Sequence, residues 1–281
     1  MDFYQTRYSD LSNEEVNELY RSDTWADMSR DERLDALQEL ENRSAEACGN
    51  QPCQVRTEEM NGYRFGGYAN GEIVLNEYLV ADGKFVTQYL DGSVETVEAG
   101  GINAQMMDTI HHENYHAYQD EVVHGQLEHS DTAEAELWSA NWPNDQYISC
   151  NDPSECYRIQ SLEKSAFAHG EAETKAAFIE IEAKYGEDAG YQQYLCEIEV
   201  DNYENALVNA KMVNSDSNIE ETVNNRMLDA YRANQEAATG THITVRLANE
   251  AVTTTENPPA STTASSVSDD LEYSLEYGAE E

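Results

Sequence analysis

His112-Glu113-Asn114-Tyr115-His116 is the stretch on which the fold turns. On a helix, residues four apart lie on one face, about a turn from each other. His112 and His116 can therefore aim both imidazoles at one ion, with zinc–nitrogen distances of about 2.0–2.1 Å. Glu113 follows the first histidine directly, an offset that carries its carboxylate toward a metal-bound water rather than onto the metal. Zinc lowers the pKa of that water, and the carboxylate takes its proton as the water attacks a carbonyl. The competing reading is a helix whose two histidines are surface residues or are satisfied in a core. Apolar Met106, Met107, Ile110 and Ala117 around the motif favour a buried, metal-holding helix.

A catalytic zinc needs a third protein ligand and an open fourth position. The extended pattern with a glycine and a third histidine is absent, because Gln119 and Val122 stand at those places. His124 lies eight residues past His116, about 12 Å along a helix axis, and cannot reach the same ion. That leaves a glutamate from a later helix. Glu163 is the first choice, since Ala166 and Gly170 follow on its face and small residues let two helices approach; Glu171 and Glu173 are the alternatives. His111 points off the ligand face and reads as a packing or supporting residue. Tyr157, Arg158 and His169 are candidates for stabilising the developing oxyanion, by proximity to Glu163.

Working outward, Ser29 and Glu32 form a capping-box pattern ahead of Leu34, Leu37 and Leu40, with Gly49 and Pro52 as the stop. A weaker helical segment, 11–20, precedes it, capped by Ser12 or Asn13. From Asn61 the period changes to short β-rich runs at 63–68, 72–76, 84–90 and 93–99, the last two flanking Asp91-Gly92, a pair suited to a type I′ hairpin turn. A small antiparallel sheet is expected there. After Gly101 the pattern is helical, over 104–123, 132–141, 161–185, 191–212 and 219–238, with Pro143 and Pro153 in the long break. Residues 242–247 read as a last short strand. The fold class expected is α+β, mostly helical: a small antiparallel sheet followed by a helical core. Residues 1–22 form an N-terminal helical segment, 23–247 the main domain, and 248–281 an acidic, Ser/Thr-rich disordered tail.

Composition bounds the partners. Asp and Glu number 56 against 16 Lys and Arg, a formal net charge of -40 in 281 residues. Such a surface repels phosphate backbones and anionic membranes, so neither nucleic acid nor a membrane is an expected partner. No acidic loop has the spacing of an EF-hand. The first residues lack a basic start and an apolar stretch, and no apolar run is long enough to span a bilayer. A soluble protein, cytoplasmic or exported without a classical signal peptide, is expected. Of five cysteines, Cys48 and Cys53 are close in sequence, as are Cys150 and Cys156, while Cys196 stands alone; two local disulfides or reduced thiols both fit.

The stretch Thr109-Ile110-His111-His112-Glu113-Asn114-Tyr115-His116-Ala117-Tyr118-Gln119 resembles the HExxHAYQ segment of a bacterial zincin-like family found among polymorphic-toxin and phage- or secretion-associated proteins. Thr24-Trp25, Glu32-Arg33-Leu34, Leu40-Glu41-Asn42, Ile73-Val74-Leu75-Asn76 and Glu163-Lys164-Ser165-Ala166 are similar to further elements of that family, in the same order. The resemblance implies a gluzincin-like fold, Zn2+ held by His112, His116 and Glu163, and Glu113 as base. It also implies an immunity or secretion partner. His111 stands at a usually apolar position and Ser165 at a commonly acidic one, departures that bear on what supports the ligands.

The function expected is a zinc metallopeptidase that hydrolyses a peptide bond of a peptide or protein substrate through a Glu-activated metal-bound water. The alternative is a catalytically silent module that keeps the zincin scaffold for binding.

Overall fold

The computed structural model describes residues 3–142 and 146–252. Helix α1 (Asn13–Glu18) starts at Ser12 and α3 (Arg30–Cys48) at Ser29. Each serine accepts from the backbone three residues on, where Glu15 and Glu32 reach back, so both helices carry a complete capping box. Between them lies α2 (Ser22–Asp27), which local pattern did not announce. Helix α1 packs on α3 and α7 and buries Val16.

Strands β1 (Gln54–Glu58), β2 (Gly66–Ala69) and β3 (Glu72–Asn76) form one sheet in the order β1-β3-β2. The antiparallel β2/β3 pair is the one expected; β1 adds a parallel edge and makes the sheet mixed. Only Val55 of Gln-Val-Arg-Thr-Glu is buried, too little alternation to mark a strand from sequence. Helix α4 (Glu77–Asp82) leads to a separate hairpin, β4 (Lys84–Gln88) with β5 (Val94–Glu98). Its turn is not type I′, which needs positive φ at both central residues. Gly92 alone is left-handed, at φ 83°, and its N–H donates to Tyr89 O at 2.9 Å, the arrangement of a turn closed by a glycine bulge.

Among the described residues the remaining elements are helices, so the fold is α+β and mostly helical. Helices α5 (Ile102–Val123), α6 (Thr132–Asn141) and α7 (Ser161–Tyr185) match the sequence reading closely, with a 3-10 turn, Tyr157–Ile159, before α7. The segment 191–212 is two helices, α8 (Ala189–Val200) and α9 (Tyr203–Asn214), because the Asn202 side chain accepts from Asn205 N and starts a new helix. Helix α10 (Ile219–Val252) runs through 242–247, where a strand was expected. A lone strand has no neighbour to bond its backbone, whereas a helix satisfies those groups internally. Residues 253–281, most of the expected tail, and Pro143 lie outside the described residues.

The main core joins α3, the three-stranded sheet, α5, α7 and α8 through Leu37, Ile73, Leu75, Met107, Ile110 and Phe178, all with no exposed surface. Helices α5 and α7 meet at Gly170. A Cβ there would stand 2.5 Å from Asp108 Oδ1 and 3.0 Å from Asp108 O, so only glycine permits the contact. All five cysteines are free thiols. Among the described residues no helix is long and apolar enough to cross a membrane.

Candidate metal centre

The helical spacing of α5 does what the sequence predicts. His112 Nε2 and His116 Nε2 lie 3.1 Å apart. The α7 carboxylate of Glu163 closes the triangle, Oε2 at 3.5 Å from His112 Nε2 and Oε1 at 3.2 Å from His116 Nε2. Ligand atoms about 2.0–2.2 Å from a tetrahedral zinc are roughly 3.3–3.6 Å apart, so the two imidazole nitrogens and the carboxylate oxygen nearest each of them stand close to the spacing a zinc ion needs. Glu163 has no exposed surface, and its Oε2 accepts no hydrogen bond. A buried carboxylate oxygen left in that state is costly, and a cation at the centre of the triangle would satisfy it. The residues present therefore fit zinc.

The charges of the cluster are coupled. Burial pushes Glu163 up, but the His116 charge and the close approach of both imidazoles outweigh it and hold the carboxyl well below its usual range. Burial lowers His116, yet the charge and hydrogen bond of Glu163, then the Glu113 charge and the Gln119 bond, raise it to about 9.

Glu113 also brings a carboxylate oxygen within 4.8 Å of the two histidine nitrogens, which makes it a rival third ligand. Its place in the fold argues otherwise. Glu113 and His112 line a cleft of about 430 Å³ with Asp108, Tyr157, Arg158 and Phe167, so the Glu113 carboxylate borders open space beside the histidines. Glu163 approaches from α7 and spans both nitrogens.

No family model, curated protein or solved structure matches this chain.

The supporting contacts were only partly foreseen. Tyr147 donates its hydroxyl to Glu163 Oε1 at 2.7 Å, and Gln119 Oε1 lies 2.7 Å from His116 Nδ1. Asn114, inside the motif, donates to Glu41 Oε1 at 3.1 Å, an oxygen that also takes the Cys53 N–H at 2.6 Å; α5 is thereby tied to α3. Asn141 Oδ1 accepts from Leu162 N at 3.2 Å, so the end of α6 caps the first turn of α7 and places Glu163. Nothing in a single sequence singled out Tyr147 among 18 tyrosines.

Of the remaining candidates, Tyr157 reaches the cleft, carried there by the 3-10 turn. Arg158 lines it too, but is held by Glu171 at 2.9 Å and Asp201 at 3.2 Å and lies over the Phe167 ring. Glu171 is thus engaged elsewhere, and exposed Glu173 lines a second cavity. His169 lines that second cavity as well, with Cys48 and His111, and not the cleft. Six residues after Glu163, it lies about 240° around α7, which removes it from the expected catalytic role. Its ring stacks on Tyr115 at 4.5 Å and its Nε2 is 3.8 Å from Cys48 Sγ. Burial lowers it to about 4. His111 is bonded to α3. Ser44 Oγ donates to Leu40 O, so His111 Nδ1–H donates to Ser44 at 2.9 Å, and burial pushes the ring down to about 3.

Proposed function

We propose that this chain is a zinc-dependent peptidase of the gluzincin type. The observation that carries the proposal is the buried cluster of His112, His116 and Glu163, in which the imidazole nitrogens lie 3.1 Å apart and each has a Glu163 oxygen at 3.2 or 3.5 Å, set at the wall of a cleft that Glu113 also lines.

His112, His116 and Glu163 hold the ion. Zinc, when bound, supplies a Lewis acid that polarises a carbonyl and makes a coordinated water acidic near neutral pH. Glu113 takes a proton from the attacking water and returns it to the departing amine nitrogen, as its position one residue past a ligand allows. Tyr147 fixes the orientation of Glu163 through its 2.7 Å hydrogen bond. Tyr157, in the cleft wall, donates toward the oxygen that gains charge during attack. Phe167 and Tyr63 supply apolar surface against which an extended peptide packs.

The test compares the wild type with Glu113→Gln on a mixed peptide library. Both bind about one zinc per chain, and the variant loses cleavage by roughly 10²–10⁴-fold, the contribution typical of a general base. Equal cleavage by both removes Glu113 as the base. Zinc retained with no cleavage by the wild type makes the chain a binding module on a silent scaffold.

A further inference from the structure

We propose that Gln119 is a positioning residue that selects the metal-binding tautomer of His116 and ties that ligand to the turn of α7 carrying Glu163. The inference rests on reading His112, His116 and Glu163 as a metal centre.

The proton assignments follow from the partners. Gln119 Nε2 lies 3.0 Å from Leu162 O, which can only accept, so the amide nitrogen must face α7. Gln119 Nε2 also donates to Ser165 Oγ at 2.9 Å. That hydroxyl can accept because its own hydrogen goes to Ser161 O at 2.9 Å, and Trp138 Nε1, a donor only, anchors it further at 3.1 Å. With the nitrogen committed, Gln119 Oε1 faces His116 Nδ1 at 2.7 Å and must accept from Nδ1–H. A neutral imidazole so held keeps its lone pair on Nε2, the atom that points at His112 Nε2 and Glu163.

The same side chain joins the two arms of the site. His116 sits on α5 and Leu162 immediately precedes Glu163 on α7, so one amide spans the ligand from each helix. Gln119 has no exposed surface, and an amide there without these partners would leave buried polar atoms unsatisfied. Partners of this kind set ligand orientation and basicity in metal sites.

The decisive measurement is zinc affinity of the full chain, by competition with a chromogenic chelator, beside thermal stability of the zinc-free protein. Gln119→Leu removes the acceptor and weakens zinc binding by about 10–100-fold. Gln119→Glu restores an acceptor for Nδ1–H but cannot donate to Leu162 O. It binds zinc within about threefold of the wild type, although its zinc-free form melts lower. A merely structural brace gives the opposite ordering, with Gln119→Glu losing at least as much zinc affinity as Gln119→Leu. On the zinc-loaded wild type, nitrogen NMR finds His116 coordinated through Nε2 with a slowly exchanging Nδ1–H, a readout that stands even where Gln119→Leu does not fold. Unchanged affinity in Gln119→Leu, coordination through Nδ1, or a Gln119→Glu variant as weak as Gln119→Leu overturns the proposal. Wild-type protein that takes no zinc overturns the metal-centre reading itself, and this proposal with it.

Discussion

Replacing Glu41 by Gln should make this protein more stable in alkali, although it deletes no apolar contact. Glu41 has no exposed surface, and its partners, Gln38, the Cys53 N–H and Asn114, are all neutral. Burial raises its carboxyl from 4.5 to about 8, outweighing the hydrogen bonds from Cys53 and Asn114. A carboxyl with a raised folded-state pKa contributes its stability below about pH 4.5, and loses it as pH climbs through about 8. At about 1.36 kcal/mol per unit, that window holds roughly 4–5 kcal/mol. Gln is nearly isosteric and does not titrate, so it matches the wild type at pH 5 within about 1 kcal/mol and exceeds it by roughly 4–5 kcal/mol at pH 9. The assay is urea unfolding of both proteins with chelator present, so that metal linkage does not enter. Self-repulsion among 56 acidic residues also tilts stability with pH, which is why the difference between the two proteins is the quantity to read. A difference that stays constant from pH 5 to pH 9 would refute the reasoning.

Two further outcomes follow from the packing of α5 on α7. Glu163→Ala should weaken zinc binding by at least about 100-fold, whereas Glu171→Ala, which breaks only contacts to Arg158 and Lys175, should change it little; the reverse order in a chelator competition would move the third ligand to Glu171. Gly170→Ala places a methyl 2.5 Å from Asp108 Oδ1 and 3.0 Å from Asp108 O, and should destabilise the fold by about 1–3 kcal/mol, read as a lowered melting temperature.

Much of the centre is local and therefore legible in one dimension. The i, i+4 spacing of His112 and His116, the capping boxes at Ser12 and Ser29, and the small residues Ala166 and Gly170 each express a rule that acts within a few turns of chain. Helix α7 was readable at the same level, and Glu163 on its first turn closes the triangle with the two histidines. What escaped depends on contacts distant in sequence. Strand β1 exists because β3 supplies its partner, and α9 is separate because Asn202 caps it. Residues 242–247 have strand-like composition but continue α10. His169 looked as close to Glu163 as Tyr157 did, but helical phase sends it to the Cys48 side while the 3-10 turn carries Tyr157 to the cleft.

By itself, then, the sequence determined the helix that bears the two histidines, the helix that bears Glu163 and the mostly helical α+β class, because periodicity and capping act through neighbouring residues. Only the tertiary structure shows that Glu163 stands beside both imidazoles, that Tyr147 and Gln119 bond to Glu163 and His116, and that Glu41 bonds to Asn114. Those contacts depend on distances of about 3 Å between residues up to 73 apart in the chain, which no local pattern encodes.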